Sequence, residues 1–90
     1  MAVYVDDLFT SPRLAQRGQS AMLQWCHMWA DTDEELHHMA RTIGLRRAWF
    51  QRHRVQDHYD LTPRKREAAI RHGATPANLR KWLAKPEGPT

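Results

Sequence analysis

A complete set of helix signals between Thr32 and Gly44 most constrains how this sequence can fold. Thr32 and Glu35 have the spacing of a capping box, in which each side chain accepts a hydrogen bond from the other residue's backbone N–H. Apolar residues then recur at i, i+3, i+4 and i+7, namely Leu36, Met39, Ala40 and Ile43. Gly44 suits the left-handed conformation in which many helices end. The rest of the chain must therefore supply an apolar surface for this helix to cover.

Strand patterns on both sides of that helix predict that the surface is a sheet. Residues 2–6 alternate and are rich in β-branched and aromatic side chains, and residues 21–30 are rich in Met, Leu and Trp. Residues 46–51, which contain Trp49-Phe50, are predicted as a third strand. Residues 8–20 are predicted as a loop because they contain Ser11-Pro12 and Gly18.

Two further helices are predicted in the C-terminal part of the chain. Thr62 followed by Pro63 is a helix start, and this second helix is predicted to stop at Gly73. Thr75-Pro76 repeats the start signal for a short third helix. The element order β-β-α-β-α-α predicts a single small α/β domain of the α+β type. Its sheet would have three strands, covered by two to three helices on one face.

The size of the chain predicts a single domain, and its composition predicts that the protein is cytoplasmic. Ninety residues leave no room for a second core, so residues 1–84 are predicted as the domain and 85–90 as a flexible tail. The single cysteine permits no internal disulfide, which is typical of a reducing compartment. Acidic residues follow soon after Met1, and no apolar run has the length of a membrane span. Neither a signal peptide nor a membrane partner is expected.

The charge is distributed unevenly along the chain. Residues 1–40 contain two basic and six acidic side chains, for a net charge of −4, whereas residues 41–90 contain twelve basic and four acidic ones, for +8. Such an asymmetry predicts an anionic partner, a nucleotide or nucleic acid, for the C-terminal half. The alternative is that the basic residues only keep the protein soluble.

The segment His58-Tyr59-Asp60 is the most informative group of candidate catalytic residues. In an extended segment His58 and Asp60 project from one face, where they can act as an acid/base pair or as two ligands of one ion. His37 borders the apolar face of the first helix, with Asp33 one turn earlier to orient its ring, and Asp6 ends the first strand. We therefore expect His37, His58 and Asp60 to lie in one pocket, with Asp6 assisting and a divalent metal as a candidate cofactor. The alternative is a loop anchor, with Asp60 as a cap, Tyr59 in the core and His58 exposed.

A basic turn at the start of the second helix is the candidate phosphate site. Arg64, Lys65 and Arg66 lie in its first turn, where the helix dipole is positive and free N–H groups point outward. An anion between the three cations would relieve their repulsion. A solvated basic turn is the alternative.

Secondary candidates are residues for which a structural role is an equally good interpretation. His27 shares a predicted strand face with Trp25 and Trp29, and is either a hydrogen-bonded core residue or part of a pocket wall. Asp31 can cap the following helix instead of serving a site. The remaining two are Tyr4, on the strand face of Asp6, and Gln51, next to Trp49-Phe50.

A series of short motifs runs along the chain: Val3-Tyr4-Val5-Asp6-Asp7, Cys26-His27-Met28, Ala30-Asp31-Thr32, Glu35-Leu36-His37, Ile43-Gly44, Trp49-Phe50-Gln51, His58-Tyr59-Asp60, Lys65-Arg66 and Gly73-Ala74. In this order they resemble the small bacterial and phage family called domain of unknown function 4031. The resemblance covers roughly residues 2–75, and no single motif in it is a known catalytic signature. The family name carries no activity, so the resemblance supports the residues and implies no mechanism.

Three classes of function remain open at this point. The first is a small hydrolase of a nucleotide or phosphodiester, with an Asp/His cluster for the chemistry and a Lys/Arg grip for the phosphate. The second is a non-catalytic binder of nucleic acid or nucleotides, in which the histidines are structural. The third is a protein-interaction module, for instance one that adapts a host factor. Convergence of the Asp and His side chains in one cleft would favour the first.

Overall fold

Five strands and three α-helices make up the described part of the chain. The structure, a computed structural model, describes residues 2–10 and 24–84, so the predictions for residues 11–23 and for the tail 85–90 lie outside it. The strands are β1 (Val3–Val5), β2 (Phe9–Thr10), β3 (Gln24–Ala30), β4 (Tyr59–Leu61) and β5 (Thr75–Pro76). The helices are α1 (Asp33–Thr42), α2 (Pro63–Arg71) and α3 (Leu79–Leu83).

Strand β3 is the centre of a mixed sheet. It pairs antiparallel with β4 on one side and with β1 and β2 in succession on the other. Strand β5 adds to the outer side of β1 in parallel. Within this sheet His27 of β3 lies directly opposite Asp60 of β4, and Val5 of β1 lies opposite Met28.

The core lies on one face of this sheet. Alternation places Val3, Val5, Cys26, Met28 and Leu61 on that face, and all of them are buried. Helices α1 and α2 cover the same face, because Leu36, Met39, Ala40 and Ala69 are buried in the same cluster. The opposite face carries Tyr4, Trp25, His27, Trp29 and Asp60, and is the more polar of the two.

Both long helices begin and end at the residues predicted from their caps. The Thr32 hydroxyl accepts from the N–H of Glu35 at 3.2 Å, and the Thr62 hydroxyl accepts from that of Lys65 at 3.4 Å. Gly44 and Gly73 follow the two helices with φ of +84° and +106°, a region that glycine adopts without steric cost. The local signals therefore set both boundaries.

The third strand predicted over residues 46–51 is wrong. Residues Arg47–Trp49 form one turn of 3-10 helix, and only Gln51 meets a partner, in an isolated bridge with His58. The aromatic pair resembles a strand locally, but a strand needs a row of backbone partners and β3 takes Tyr59–Leu61 instead. The predicted sheet of three strands becomes one of five.

The start of the third helix is also corrected. Thr75-Pro76 forms β5, where an edge position tolerates the missing N–H of proline. Helix α3 begins later, after Asn78, whose side chain accepts from the N–H of Lys81. It packs on the face opposite α1 and α2, since Trp82 contacts the rings of Tyr4 and Trp29 at 5.6 and 5.9 Å. The helices thus cover both faces, and the α/β class itself is confirmed.

None of the helices in the described ranges combines the length and the apolar character that crossing a membrane requires.

Candidate functional site

Three potential ligand atoms converge on the polar face of the sheet. His27, His58 and Asp60 each offer one atom, and these atoms all lie within 4.8 Å of one another. The Nε2 atom of His58 is 3.5 Å from Oδ1 of Asp60. The two imidazole rings stand perpendicular to each other, with centroids 4.9 Å apart. Two imidazoles and one carboxylate at this spacing form a candidate metal centre.

Antiparallel pairing brings these residues together from distant parts of the sequence. His27 and Asp60 are cross-strand partners of β3 and β4, so their side chains leave the same face as neighbours. His58 is two residues before Asp60 and therefore projects to the same side. The structure places His58 and Asp60 on the same face, where the alternation of an extended segment predicts them.

Asp6 holds His27 in a fixed orientation. Its Oδ1 accepts from the backbone N–H of His27 at 2.7 Å, and its Oδ2 accepts from Nδ1 of the ring at 2.8 Å. A carboxylate can only accept, so Nδ1 carries a proton and, in the neutral imidazole, the lone pair is on Nε2. The hydrogen bond to Asp6 raises the pKa of His27, while partial burial opposes the shift. Carboxylate–histidine pairs of this kind orient metal ligands in proteins.

The other two candidate ligands are oriented in the same manner. Nδ1 of His58 donates to the carbonyl of Gln56 at 2.9 Å, so in the neutral imidazole the lone pair is on Nε2, the atom that is 3.5 Å from Oδ1 of Asp60. Oδ2 of Asp60 accepts from Nε2 of Gln51 at 2.7 Å, so Oδ1 remains on the side of His58. Each candidate ligand thus has one polar atom fixed by the protein and a second polar atom left for an ion. The arrangement suits a divalent cation with open coordination positions for water and a substrate.

A groove adjoins the centre on the side of His27. It has a volume of about 470 Å³ and runs between the end of β1 and helix α3. Phe9 stacks on the His27 ring with a centroid distance of 5.1 Å and is 37% exposed. Arg80 and Asn78 of the opposite wall are exposed polar groups that a substrate can reach.

His37 does not join this centre, contrary to the prediction that it shares a pocket with His58 and Asp60. Its Nδ1 is 2.9 Å from the hydroxyl of Tyr59, whose side chain lies on the helix-covered face. Asp33 was expected to orient the ring, but Tyr59 is its partner. Because Tyr59 stands between His58 and Asp60 in the chain, it projects to the other face. Desolvation and the nearby charge of Arg47 lower the pKa of His37.

Of the secondary candidates, Gln51 and His27 reach the centre and the other two do not. Asp31 accepts from the backbone N–H of Ala2 at 2.9 Å and from the hydroxyl of Tyr4 at 3.0 Å. Tyr4 is also stacked on Trp29, 5.7 Å between centroids. Asp31 and Tyr4 therefore fasten the start of β1 to the end of β3.

The predicted phosphate grip has internal partners for two of its three side chains. Nζ of Lys65 donates to the carbonyl of Ile43 at 2.6 Å, at the C-terminal end of α1. Nε of Arg66 donates to the carbonyl of Asp6 at 2.8 Å, and its Nη2 is 3.9 Å from Asp7. Arg64 is exposed. Lys65 and Arg66 thus tie α2 to the end of α1 and to the strand end that carries Asp6.

We expect loss of either internal tie to destabilise the fold. Lys65→Met and Arg66→Met should each lower the free energy of unfolding by about 1–3 kcal/mol, because a partly buried carbonyl loses a charged donor. Arg64→Met should change it by less than about 0.5 kcal/mol, as is usual for exposed positions. Urea denaturation of the three variants measures the difference. An equal response of all three would mean that the two bonds add no stability.

Sequence reasoning missed two parts of the site. The carbonyl of Gln56 fixes the tautomer of His58, and Phe9 covers one side of His27. A backbone acceptor leaves no trace in residue type, and Phe9 is in a segment that was predicted as loop. For the site as a whole, the sequence contains one further signal. The alternation Trp25, His27, Trp29 places His27 on the face of the strand opposite its core positions.

The chain matches a known protein family over nearly its whole length. No curated protein and no solved structure matches the chain. A family described as protein of unknown function (DUF4031) matches residues 3–86, which is nearly the whole chain and includes His27, His58 and Asp60. The chain therefore belongs to this family.

Proposed function

We propose that this protein is a divalent-metal-dependent hydrolase of phosphodiesters or nucleotides. The observation that supports it is the convergence of His27, His58 and Asp60, each oriented by a further hydrogen bond. Asp60 also lacks the lysine or arginine partner that a structural carboxylate commonly has, among the residues that the structure describes.

Metal-assisted hydrolysis is the chemistry that such a centre supports. Nε2 of His27, Nε2 of His58 and Oδ1 of Asp60 would hold the ion, and a bound water would lose a proton at near-neutral pH. Hydrolysis would form a new P–O bond from a water oxygen to phosphorus and break the bond to the ester oxygen, which would leave with a proton taken up from water. Asp6 keeps the His27 ring in place throughout and binds no metal itself.

The net positive charge of the C-terminal half supports an anionic substrate. Arg80 borders the groove next to His27 and is the basic residue best placed for a substrate phosphate. Of the three residues predicted from the second helix, Arg64 stays a candidate for this role. Lys65 and Arg66 would have to leave their backbone acceptors to take part.

Hydrolysis of bis(p-nitrophenyl) phosphate, a small activated diester, tests the proposal. The protein is stripped with a chelator and reloaded with Zn²⁺, Mn²⁺ or Co²⁺. We expect activity with at least one ion, and a loss of at least about 100-fold in His58→Ala and Asp60→Ala, because the ion supplies several kcal/mol to the transition state.

Exposed histidines provide the matched control. His38 and His72 line a different groove, beside the first turns of α1. His38→Ala and His72→Ala should keep the activity of the unchanged protein. If the protein binds no ion, or if all four variants hydrolyse the diester equally, the proposal is wrong.

A further inference from the structure

A basic and aromatic surface at the edge of β4 has no role in the proposed chemistry. Residues 41–54 contain five arginines and no acidic residue. In the described ranges only Arg52 of these is in an ion pair, with Asp57 at 3.4 Å. We call this surface the arginine strip, and its central residues are Arg46, Arg47, Trp49, Phe50 and Arg52.

The strip is ordered by contacts between arginine and aromatic side chains. The guanidinium of Arg46 is 5.9 Å from the centroid of the Trp49 ring. Those of Arg47 and Arg52 are 4.9 and 5.6 Å from the Phe50 ring. Such contacts hold a guanidinium over a ring and leave most of its N–H donors free for other partners.

Trp49 is the most exposed large aromatic side chain in the described ranges, at 50%, followed by Phe9 at 37%. Phe50, by contrast, packs against His37 at 4.6 Å and Tyr59 at 5.5 Å, which anchors the strip to the core. An exposed ring held beside arginines is a stacking surface for an unpaired base, since every base has a π-face. A duplex keeps its bases stacked on one another and cannot use such a ring in the same way.

The strip leads directly to the candidate metal centre. Gln51 follows Phe50 in the chain and forms two backbone hydrogen bonds with His58, of 2.9 and 3.0 Å. Its side chain donates to Asp60 at 2.7 Å. Gln51 therefore joins the end of the strip to the segment that carries two of the proposed metal ligands, His58 and Asp60.

We propose that the arginine strip binds single-stranded nucleic acid and guides it to the centre formed by His27, His58 and Asp60. The arginines contact phosphates, and Trp49 stacks on a base. As an assignment of substrate this inference rests on the proposed hydrolase, whereas binding to the strip is tested independently of hydrolysis. The substrate class is then a polynucleotide strand in place of a mononucleotide.

Binding is measured first, with EDTA present so that no strand is cut. The probe is a fluorescein-labelled single-stranded DNA of 12 nucleotides, followed by anisotropy at several salt concentrations. We expect Arg46→Gln/Arg47→Gln to weaken binding about tenfold, and the slope of log K against log salt to become shallower by about 1.4, as for two lost phosphate contacts. Trp49→Ala should weaken binding by a similar factor with the slope unchanged.

Two comparisons show whether the strip itself is responsible. Arg71→Gln/Lys81→Gln makes the same change in net charge at exposed positions of α2 and α3, and should stay within about threefold of the unchanged protein. The duplex of the same sequence should bind without any loss in Trp49→Ala. Equal weakening by the two double variants, or binding that does not respond to salt, would overturn the inference.

Hydrolysis then separates this inference from the proposed function. Strip variants should hydrolyse the small diester like the unchanged protein, while the KM for the oligonucleotide rises about tenfold. If the protein cuts the small diester and the strip variants bind and cut the oligonucleotide normally, the strip is refuted and the hydrolase stands. If the strip binds DNA as expected but no diester is hydrolysed, the hydrolase is refuted and strand binding stands.

Discussion

Replacing Trp29 by alanine is expected to lower the free energy of unfolding by about 3–5 kcal/mol, a large share of the roughly 5–15 kcal/mol that holds a domain together. Trp29 is fully buried, although it lies on the face of the sheet opposite the main core. Its ring packs between Tyr4 and Trp82 at 5.7 and 5.9 Å. The variant therefore loses the surface on which α3 rests.

Trp49→Ala is the matched control, since it removes the same side chain from an exposed position. It should cost less than about 1 kcal/mol. Urea denaturation followed by circular dichroism compares the two. Similar costs would mean that the packing of α3 on Trp29 contributes little to stability.

A divalent metal at 1,000 times its Kd is expected to stabilise the folded protein by about 4.1 kcal/mol, since an ion that binds only the folded state acts by linkage. In a domain of this size the melting temperature should rise by about 15–30 °C. The gain should shrink as the pH falls, because both imidazoles must be unprotonated to bind. Differential scanning calorimetry with Zn²⁺ and Mn²⁺ measures it.

Variants at and around the centre make this measurement specific. Asp60→Ala should abolish the stabilisation, and Asp6→Asn should reduce the affinity about 10- to 100-fold because the orientation of His27 is weakened. His72→Ala should respond like the unchanged protein. A metal that stabilises Asp60→Ala fully would be binding elsewhere.

Local signals explain why the two long helices could be predicted and the edge strands could not. The helix starts are set by Thr32 with Glu35 and by Thr62 with Pro63. These residues act on backbone groups within one helical turn, so the local sequence is sufficient to predict where each helix begins. Strands β4 and β5 have three and two residues, and each exists only because a distant strand pairs with it. Thr75-Pro76 even has the appearance of a helix start, but its pairing with β1 prevails.

The candidate centre follows the same rule: the part that depends on local sequence could be predicted, and the part that depends on distant pairing could not. That His58 and Asp60 share a face follows from alternation alone. That His27 is their third partner depends on the register between β3 and β4, which no local pattern specifies. The prediction for His37 failed because helix position does not reveal which face of the sheet a helix covers. The role of Lys65 and Arg66 was missed since their acceptors are backbone carbonyls far away in sequence.

The alternation of β4 also protects the centre against errors in pairing. A slip of β4 by one residue along β3 would turn His58 and Asp60 into the core and expose Tyr59 and Leu61, which are 1% and 0% exposed. The free energy lost by exposing these two side chains to water is far larger than the free energy that contacts among the polar groups could contribute. Burial of Tyr59 and Leu61, which have no part in the chemistry, thus fixes the pairing that brings His58 and Asp60 next to His27. Substitutions of His27, His58 or Asp60 can therefore change what the centre binds, while the register between β3 and β4 is kept by the core residues.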